Sequence, residues 1–166
     1  MGRYRPPQPV GSKYITAKGH ERLKQEHDYL WKKKRPEVTR ILSAAAAEGD
    51  RSENAEYIYR KKELAGIDRR IRYLQKRLPD LTIVSAGPSD PDRIFFGAYV
   101  VLKDEAGDEH RYRIVGPDEF DPEKGWISMD SPMAQALMKK TFDDEVNVTT
   151  PIGERQYCVI GIRYET

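Results

Sequence analysis

The spacing of apolar side chains in the second half of residues 13–78 limits the possible fold more than any other feature of this chain. Every seventh residue there is apolar or aromatic, and the position between them is mostly apolar as well. Alternating steps of three and four residues form the heptad pattern of a coiled coil, so we expect a helix that packs along one seam. The first seam position holds Tyr57, Leu64, Ile71 and Leu78, and the second holds Arg60, Ile67 and Leu74.

A second apolar face precedes this helix and predicts an antiparallel helical hairpin. The two helices are separated at Gly49 and Asp50, and Pro79 ends the second helix, so the turn is expected near residues 48–53. Pro36 is expected to kink or loosen the first helix. Because thirty helical residues span roughly 45 Å, the turn should lie far from the other end of the hairpin. The apolar face of the first helix comprises Leu23, Leu30, Val38, Ile41 and Ala45.

From residue 80 the pattern changes to short β-rich runs separated by turns. One short helix is expected among them, with Ser131 as its N-cap, Pro132 at its first position and residues 133–140 following. The chain is therefore predicted to be α+β. It should comprise a flexible tail (1–12), an antiparallel coiled-coil hairpin (13–79) and a compact antiparallel β-sheet domain with one short helix (80–166). The candidate strands are residues 81–84, 95–102, 110–115, 126–129, 146–149 and 157–164.

The two halves of the chain carry opposite charge. Residues 13–78 hold 18 Lys and Arg against 10 Asp and Glu, whereas residues 79–166 hold 9 against 17. The resulting net charges of +8 and −8 suggest two modules with different partners, a polyanion for the first and a basic protein surface for the second. The alternative is that both halves are merely solvated.

Composition excludes several classes of protein. Hydrophobic residues make up 38% of the chain, and no apolar run approaches the roughly 20 residues of a membrane helix. We also expect no signal peptide, because no charged start followed by an apolar centre is seen in the sequence. The single cysteine, Cys158, has no partner for a disulfide and argues against a multi-cysteine zinc site. We expect a cytoplasmic protein without a membrane partner and without a cofactor that it binds stably by itself.

Four carboxylates are concentrated at the predicted hairpin turn. Asp50 and Glu53 have the spacing of a capping box, and acids are favoured at a helix N-terminus, which is sufficient to explain them. The functional alternative is that the same pair supplies oxygen ligands to a divalent cation such as Mg²⁺. Two carboxylates do not complete a magnesium site, so a partner would have to supply the rest. The four carboxylates are those of Glu48, Asp50, Glu53 and Glu56.

The second helix also carries a stripe of basic residues. Cations at this spacing are suited to contact a nucleic-acid backbone, although basic residues outside a coiled coil are often only solubilising. Tyr59, near the turn, could stack on a base, whereas Tyr57 lies on the seam. The stripe consists of Lys61, Lys62, Arg69, Arg70, Arg72, Lys76 and Arg77.

Taken together, residues 14 to 164 resemble the bacterial Gre transcript cleavage factors, and they resemble the GreB branch more than GreA. The branch is indicated by Tyr29-Leu30-Trp31, by the Asp50-to-Asn54 form of the turn and by the dense basic stripe. The matching segments are Thr16–Gly19, Arg35–Val38, Gly49–Tyr57, Phe96–Ala98, Tyr112–Gly116, Ile127–Ala134 and Thr150–Glu154.

This resemblance implies a function that the residues alone did not. The hairpin would enter the secondary channel of RNA polymerase, where Asp50 and Glu53 help to hold the weakly bound second Mg²⁺ and Ser52 helps to orient the attacking water. The polymerase, not this chain, would then hydrolyse the backtracked RNA near its 3′ end. The basic stripe would face that RNA.

The resemblance also implies a docking site and a fold for the second module. Asp130, Ser131 and Pro132 match the loop that docks on the polymerase, and the module would be FKBP-like, which by itself implies no isomerase activity. Three other functions remain open: a non-cleaving inhibitor of the same channel, a prolyl isomerase or chaperone, and a basic coiled coil that binds nucleic acid unaided. A monomer is expected, since the seam is satisfied within the chain.

Overall fold

A computed structural model describes residues 11–48, 54–85 and 87–165. The chain divides into two compact units, a helical unit of residues Lys18–Leu81 and a globular unit that joins residues 11–17 to residues 82–165. The prediction placed residues 13–17 with the helices, whereas the structure groups them with the sheet. Of the predicted flexible tail, residues 1–10 lie outside the described residues.

The helical unit, called the finger below, is a hairpin of helices. The first arm contains α1 (Ala17–Tyr29), a π-helical segment (Leu30–Lys34) and α2 (Arg35–Ala47), and the second arm is α3 (Ala55–Asp80). The helices thus end and begin on either side of the predicted turn. None of the helices in the described ranges is long and apolar enough to cross a membrane.

The π-helical segment is the disturbance that Pro36 predicted. The backbone N–H of Arg35 donates to the carbonyl oxygen of Leu30, which is five residues earlier. In an α-helix the same N–H would donate to the carbonyl oxygen four residues earlier. Proline has no N–H to donate and its ring crowds the preceding turn, so the helix widens just before Pro36.

The two arms of the finger pack through a narrow core and pair through charges. Val38 packs against Ile67 and Ile71, all of them buried, with Leu30 and Leu64 partly buried beside them. Ion pairs across the seam also join the first arm to α3. They include Glu26 with Arg70, Lys34 with Glu63, and Arg35 with Asp68.

One predicted seam residue does not pack in the core. The Arg60 guanidinium instead binds Glu56 at 3.0 Å and Glu63 at 2.8 Å on its own helix. The hydrogen bonds that Arg60 donates to Glu56 and then to Glu63 raise the pKa of Arg60 above its usual value. A cation at this heptad position is accommodated because two carboxylates, one of them shared with Lys34, surround it.

The globular unit is built on a five-stranded sheet in the order β5-β4-β3-β7-β6. The predicted all-antiparallel sheet is wrong at one edge, because β5 runs parallel to β4. The connection from β4 to β5 contains two 3₁₀ helices, Pro117–Glu119 and Pro122–Lys124. This connection is long enough to reverse the chain twice, so β5 runs in the same direction as β4. The strands are β3 (Tyr99–Asp104), β4 (Glu109–Val115), β5 (Trp126–Ser128), β6 (Glu145–Thr150) and β7 (Gly153–Arg163).

A short helix, α4 (Pro132–Leu137), covers one face of this sheet. Its Ala134 and Leu137 are fully buried together with alternate residues of the strands. The helix is shorter than predicted, and Lys139 just beyond it adopts a left-handed φ of 66°. The buried strand residues are Val100, Leu102, Ile114, Val146, Val148 and Val159.

A second, two-stranded parallel sheet joins β1 (Tyr14–Thr16) to β2 (Thr82–Val84). Sequence analysis missed β1, although Tyr-Ile-Thr has strong β-propensity. The strand lies against Gly116, where an added Cβ would meet the carbonyl oxygen of Tyr14 at 2.0 Å, so only glycine fits. The buried carboxylate of Glu119 accepts hydrogen bonds from both the backbone N–H and the hydroxyl of Thr16. These contacts attach β1 firmly to the globular unit.

Candidate functional site

The base of the finger's turn is closed by one asparagine. The Asn54 side-chain oxygen accepts a hydrogen bond of 3.1 Å from the backbone N–H of Tyr57, which makes Asn54 the N-cap of α3. Its side-chain nitrogen donates at 2.8 Å to the carbonyl oxygen of Ala45, near the end of α2. The first bond satisfies a backbone N–H that a helix start leaves unpaired, and the second joins α3 to the last turn of α2, where the Ala45 carbonyl also accepts from the Glu48 N–H at 3.3 Å.

Asp50, Ser52 and Glu53 lie outside the described residues, so their predicted roles stay predictions. The cap that α3 needs is supplied by Asn54, three residues before Tyr57. Of the other two acids at the turn, Glu56 is engaged by Arg60 and Glu48 is exposed. Within the described ranges, no group of three His, Cys, Asp or Glu side chains is placed to hold a metal ion.

Five of the seven predicted stripe residues are exposed on α3. Lys62, Arg69 and Lys76 are seven residues apart and share one helix face with Arg72, and Lys61 lies at its edge. This face is opposite the seam formed by Ile67, Ile71 and Leu74. The finger therefore presents a continuous row of cations.

Arg70 and Arg77 do not belong to that exposed row. The Arg70 guanidinium makes two hydrogen bonds to the Glu26 carboxylate, at 2.8 and 2.9 Å, which fix α3 to α1. Arg77 is only 8% exposed. Because successive residues of a helix are rotated by 100°, Arg70 and Arg77 lie beside the seam and not on the helix face opposite it. Seven-residue spacing alone did not distinguish the flank from the outer face.

Two tyrosines follow the turn on α3. Tyr59 is 61% exposed, as predicted, and Arg60 lies 5.3 Å from its ring centre. Tyr57 is half-buried on the seam, with the Lys61 amine 6.0 Å from its ring. Cations beside aromatic faces make this part of the finger suitable for contact with a nucleic-acid chain.

The predicted docking loop forms the entry to α4. The Ser131 hydroxyl accepts a hydrogen bond of 3.2 Å from the backbone N–H of Ala134, as predicted for an N-cap. Pro132 is exposed at the first helical position. The side-chain nitrogen of Gln135 donates to the carbonyl oxygen of Met129 at 2.8 Å and closes the loop from behind.

Ser12 is a contributor to this loop that sequence analysis missed. Its backbone N–H donates to Asp130 Oδ2 at 2.8 Å, and its hydroxyl donates to Asp130 Oδ1. The sequence predicts Ser12 to be part of the flexible tail, because the segment around it is rich in proline and offers little to bury. No local signal connects it with a residue 118 positions away.

Both units of the chain match models of known families. The family described as "Transcription elongation factor, N-terminal" matches residues 13–83. The family described as "Transcription elongation factor, GreA/GreB, C-term" matches residues 88–164.

Individual relatives resemble the chain over nearly its full length. It is 56% identical over 165 residues to Transcription elongation factor GreB of Xanthomonas axonopodis pv. citri, covering 99% of this chain and 98% of the relative. It is 54% identical to the GreB protein of Pseudomonas aeruginosa, again covering 99% and 98%. A solved structure of the transcription factor Gfh1 is 28% identical and covers 92% of this chain and 99% of its own, with a TM-score of 0.45. The chain therefore belongs to the GreA/GreB family of transcription elongation factors.

Proposed function

We propose that this elongation factor binds RNA polymerase, inserts its finger into the secondary channel and stimulates the polymerase to cleave backtracked RNA. Family membership over both units supports the partner. The observation that carries the proposal is the Asp50 and Glu53 pair in the turn of a helical hairpin whose base is closed by Asn54.

The chemistry would take place in the active centre of the polymerase. Asp50 and Glu53 offer hard oxygen donors, the kind that Mg²⁺ prefers, and would hold the polymerase's second Mg²⁺. When bound there, that ion supplies the Lewis acidity and charge neutralisation of two-metal hydrolysis. Ser52 would orient the attacking water through its hydroxyl. The factor itself is not an enzyme in this proposal, because the polymerase carries out the cleavage.

The exposed cations of α3 would contact the backbone of the RNA 3′ segment. Lys61, Lys62, Arg69, Arg72 and Lys76 are exposed, and within the described residues none of them forms an ion pair with a carboxylate of the first arm. Phosphate contacts of this kind are independent of sequence and weaken with salt. They suit a factor that must act on any transcript.

Docking would use the loop of Asp130, Ser131 and Pro132. Asp130 and Pro132 are exposed, and the hydrogen bonds of Ser12, Ser131 and Gln135 hold the loop in one conformation. A fixed loop loses little conformational freedom on binding. The factor would act as a monomer, since the finger's core is completed within one chain.

The test is RNA cleavage in a purified, backtracked polymerase complex with Mg²⁺ and the full chain. We expect cleavage with the unmodified protein and loss with an Asp50→Asn/Glu53→Gln double variant that still binds. Glu48→Gln is the matched control, since it removes an exposed acid from the same turn. Binding without cleavage by the unmodified protein would contradict the proposal and point to a channel-binding inhibitor.

A further inference from the structure

A row of alternating cations and aromatic rings crosses the sheet on the face away from α4. Tyr99 on β3 is paired with Arg163 of β7 on one side and with Arg113 of β4 on the other. Arg113 is in turn paired with Trp126 of β5. Lys124, just before β5, completes the row. We call these five residues the cation–aromatic row.

Each cation in the row lies over a ring. The Arg163 guanidinium is 4.1 Å from the centre of Tyr99, and that of Arg113 is 4.6 Å from the same ring. Arg113 is also 5.0 Å from Trp126, and the Lys124 amine is 4.8 Å from that indole. Such contacts attract a cation without neutralising its charge. The contacts thus hold the cationic side chains in place, although Arg111, Arg113 and Lys124 also lie within 4.0 Å of Glu109, Glu165 and Asp121, respectively.

The row borders a cavity of about 220 Å³ whose charged lining is entirely basic. Four cations line it, and Tyr99 and Val101 provide an apolar floor; among the described residues that line it, none is acidic. Two of the cations are well exposed, with 78% of the Arg111 side chain and 52% of the Lys124 side chain accessible. The four cations are Arg111, Arg113, Lys124 and Arg163.

Carboxylates lie near the row but outside the cavity. Glu165 is 3.5 Å from Arg113 and accepts a hydrogen bond of 2.8 Å from the Tyr99 hydroxyl. Desolvation by burial, followed by the hydrogen bond to Glu165, raises the pKa of the Tyr99 hydroxyl above its ordinary value. Among the described residues, no carboxylate lies within 4.0 Å of the Arg163 guanidinium. Arg163 therefore keeps its charge for a ligand.

We propose that this cavity is a second docking site for RNA polymerase and accepts an acidic protein segment with an apolar side chain. This rests on the proposed function for the identity of the partner. Arginine, tyrosine and tryptophan are enriched in protein interfaces and dominate their binding energy. The apolar floor suits an aliphatic side chain, and the four cations suit carboxylates beside it.

The charge of the surrounding surface favours a protein segment over RNA. Residues 79–166 carry 9 basic and 17 acidic residues, and four of those nine basic residues line this one cavity. An RNA chain extending beyond the cavity would meet repulsion from the acidic remainder, whereas a short acidic segment needs only the local charge. The site is therefore selective for a compact anion on a protein surface.

The test is the affinity of the full chain for purified RNA polymerase. We expect Arg163→Glu and Arg111→Glu each to raise the dissociation constant about tenfold and to reduce its salt dependence. Arg155→Glu is the matched control, because it reverses the charge of an exposed arginine on the same strand as Arg163, outside the cavity. The high exposure of Arg111 ensures that at least one variant folds, and thermal unfolding verifies it.

The outcomes separate this inference from the proposed function. If the unmodified protein binds polymerase and both cavity variants bind as well as Arg155→Glu, the inference is overturned and the proposed function stands. If the unmodified protein does not bind polymerase, both fail.

The class of ligand is identified by a photo-crosslinker at position 111, introduced as Arg111→p-benzoylphenylalanine in the full chain. A crosslinked polymerase peptide rich in Asp and Glu supports the inference. A crosslink to RNA in the backtracked complex overturns it.

Discussion

The side-chain amide of Asn54 donates a hydrogen bond of 2.8 Å to the carbonyl oxygen of Ala45, across the turn of the finger. The same side chain accepts from the backbone N–H of Tyr57, so one residue ends α2 and starts α3. The last turn of α2 is therefore joined to the first turn of α3 at the base of the finger's turn. Substitutions at Asn54 can therefore test how much this hydrogen-bonded base contributes to RNA cleavage while Asp50 and Glu53 are unchanged.

Replacing Asn54 separates its two hydrogen bonds. Asn54→Ala loses both, and we expect the free energy of unfolding to fall by about 1 kcal/mol, as for other N-caps. Asn54→Asp keeps the acceptor for Tyr57 and loses only the donor to Ala45. We expect Asn54→Asp to retain most of the stability in urea denaturation but to cleave RNA more slowly at equal occupancy of the polymerase. Full cleavage by Asn54→Asp would show that the bond to Ala45 does not position the turn.

The hydroxyl of Ser12 is expected to support docking through Asp130. Ser12→Ala removes the hydroxyl donor and keeps the backbone N–H bond of 2.8 Å to Asp130 Oδ2. A hydrogen bond to a carboxylate contributes about 1.5 kcal/mol, and this pair is exposed, so we expect at most a tenfold weaker affinity for polymerase. Ser12→Thr retains the hydroxyl and should restore the affinity. Equal affinities of the alanine variant and the unmodified protein would refute this role.

Neighbouring arginines on α3 are expected to act in different ways. Arg69→Gln removes an exposed cation and should weaken crosslinking of the finger to backtracked RNA while leaving stability within about 0.5 kcal/mol. Arg70→Gln breaks the two hydrogen bonds to Glu26, and we expect it to lower stability by about 0.5–1 kcal/mol because the pair is partly exposed. Urea denaturation and RNA crosslinking of both variants check this division. The same effect of both variants on both readouts would contradict it.

The pair of His110 and Asp104 gives a pH dependence with a defined sign. His110 Nε2 lies 2.8 Å from Asp104 Oδ2, and this hydrogen bond, followed by that from the backbone N–H of Asp108, lowers the pKa of Asp104 below its ordinary value of 3.8. A carboxyl group whose pKa is lower in the folded state stabilises the fold above its ordinary pKa. This contribution is lost as the pH falls through the lowered pKa.

In His110→Gln we therefore expect the pKa of Asp104 to rise toward 3.8 and acid unfolding to begin at a higher pH. Titration of the side-chain carboxyl signals by NMR measures the pKa directly. Asp144 is an internal reference, because hydrogen bonds from Thr141 lower its pKa independently of His110. An unchanged Asp104 pKa in the variant would show that His110 is not its main partner.

Features set by local spacing were predictable from the sequence, and features set by distant pairing were not. The coiled-coil seam, the disturbance before Pro36 and the capping by Ser131 each depend on residues a few positions apart. The parallel pairing of Arg113 with Trp126, and with it the cation–aromatic row, depends on a register between strands that no local pattern specifies. At the turn of the finger, the spacing of Asp50 and Glu53 left capping and cation binding both open, and only the resemblance to a family favoured cation binding and added Ser52.

The pairing of β1 with β2 makes the globular unit discontinuous in sequence. Its first strand is synthesised before the finger and the rest after it, so on the ribosome Tyr14–Thr16 must wait for Thr82–Val84 before it can pair. A fragment of residues 80–166 would lack the Thr16 hydroxyl and N–H, leaving the buried Glu119 carboxylate with fewer donors. A synthetic peptide of residues 11–17 supplied in trans would complete the unit, as in split-protein complementation.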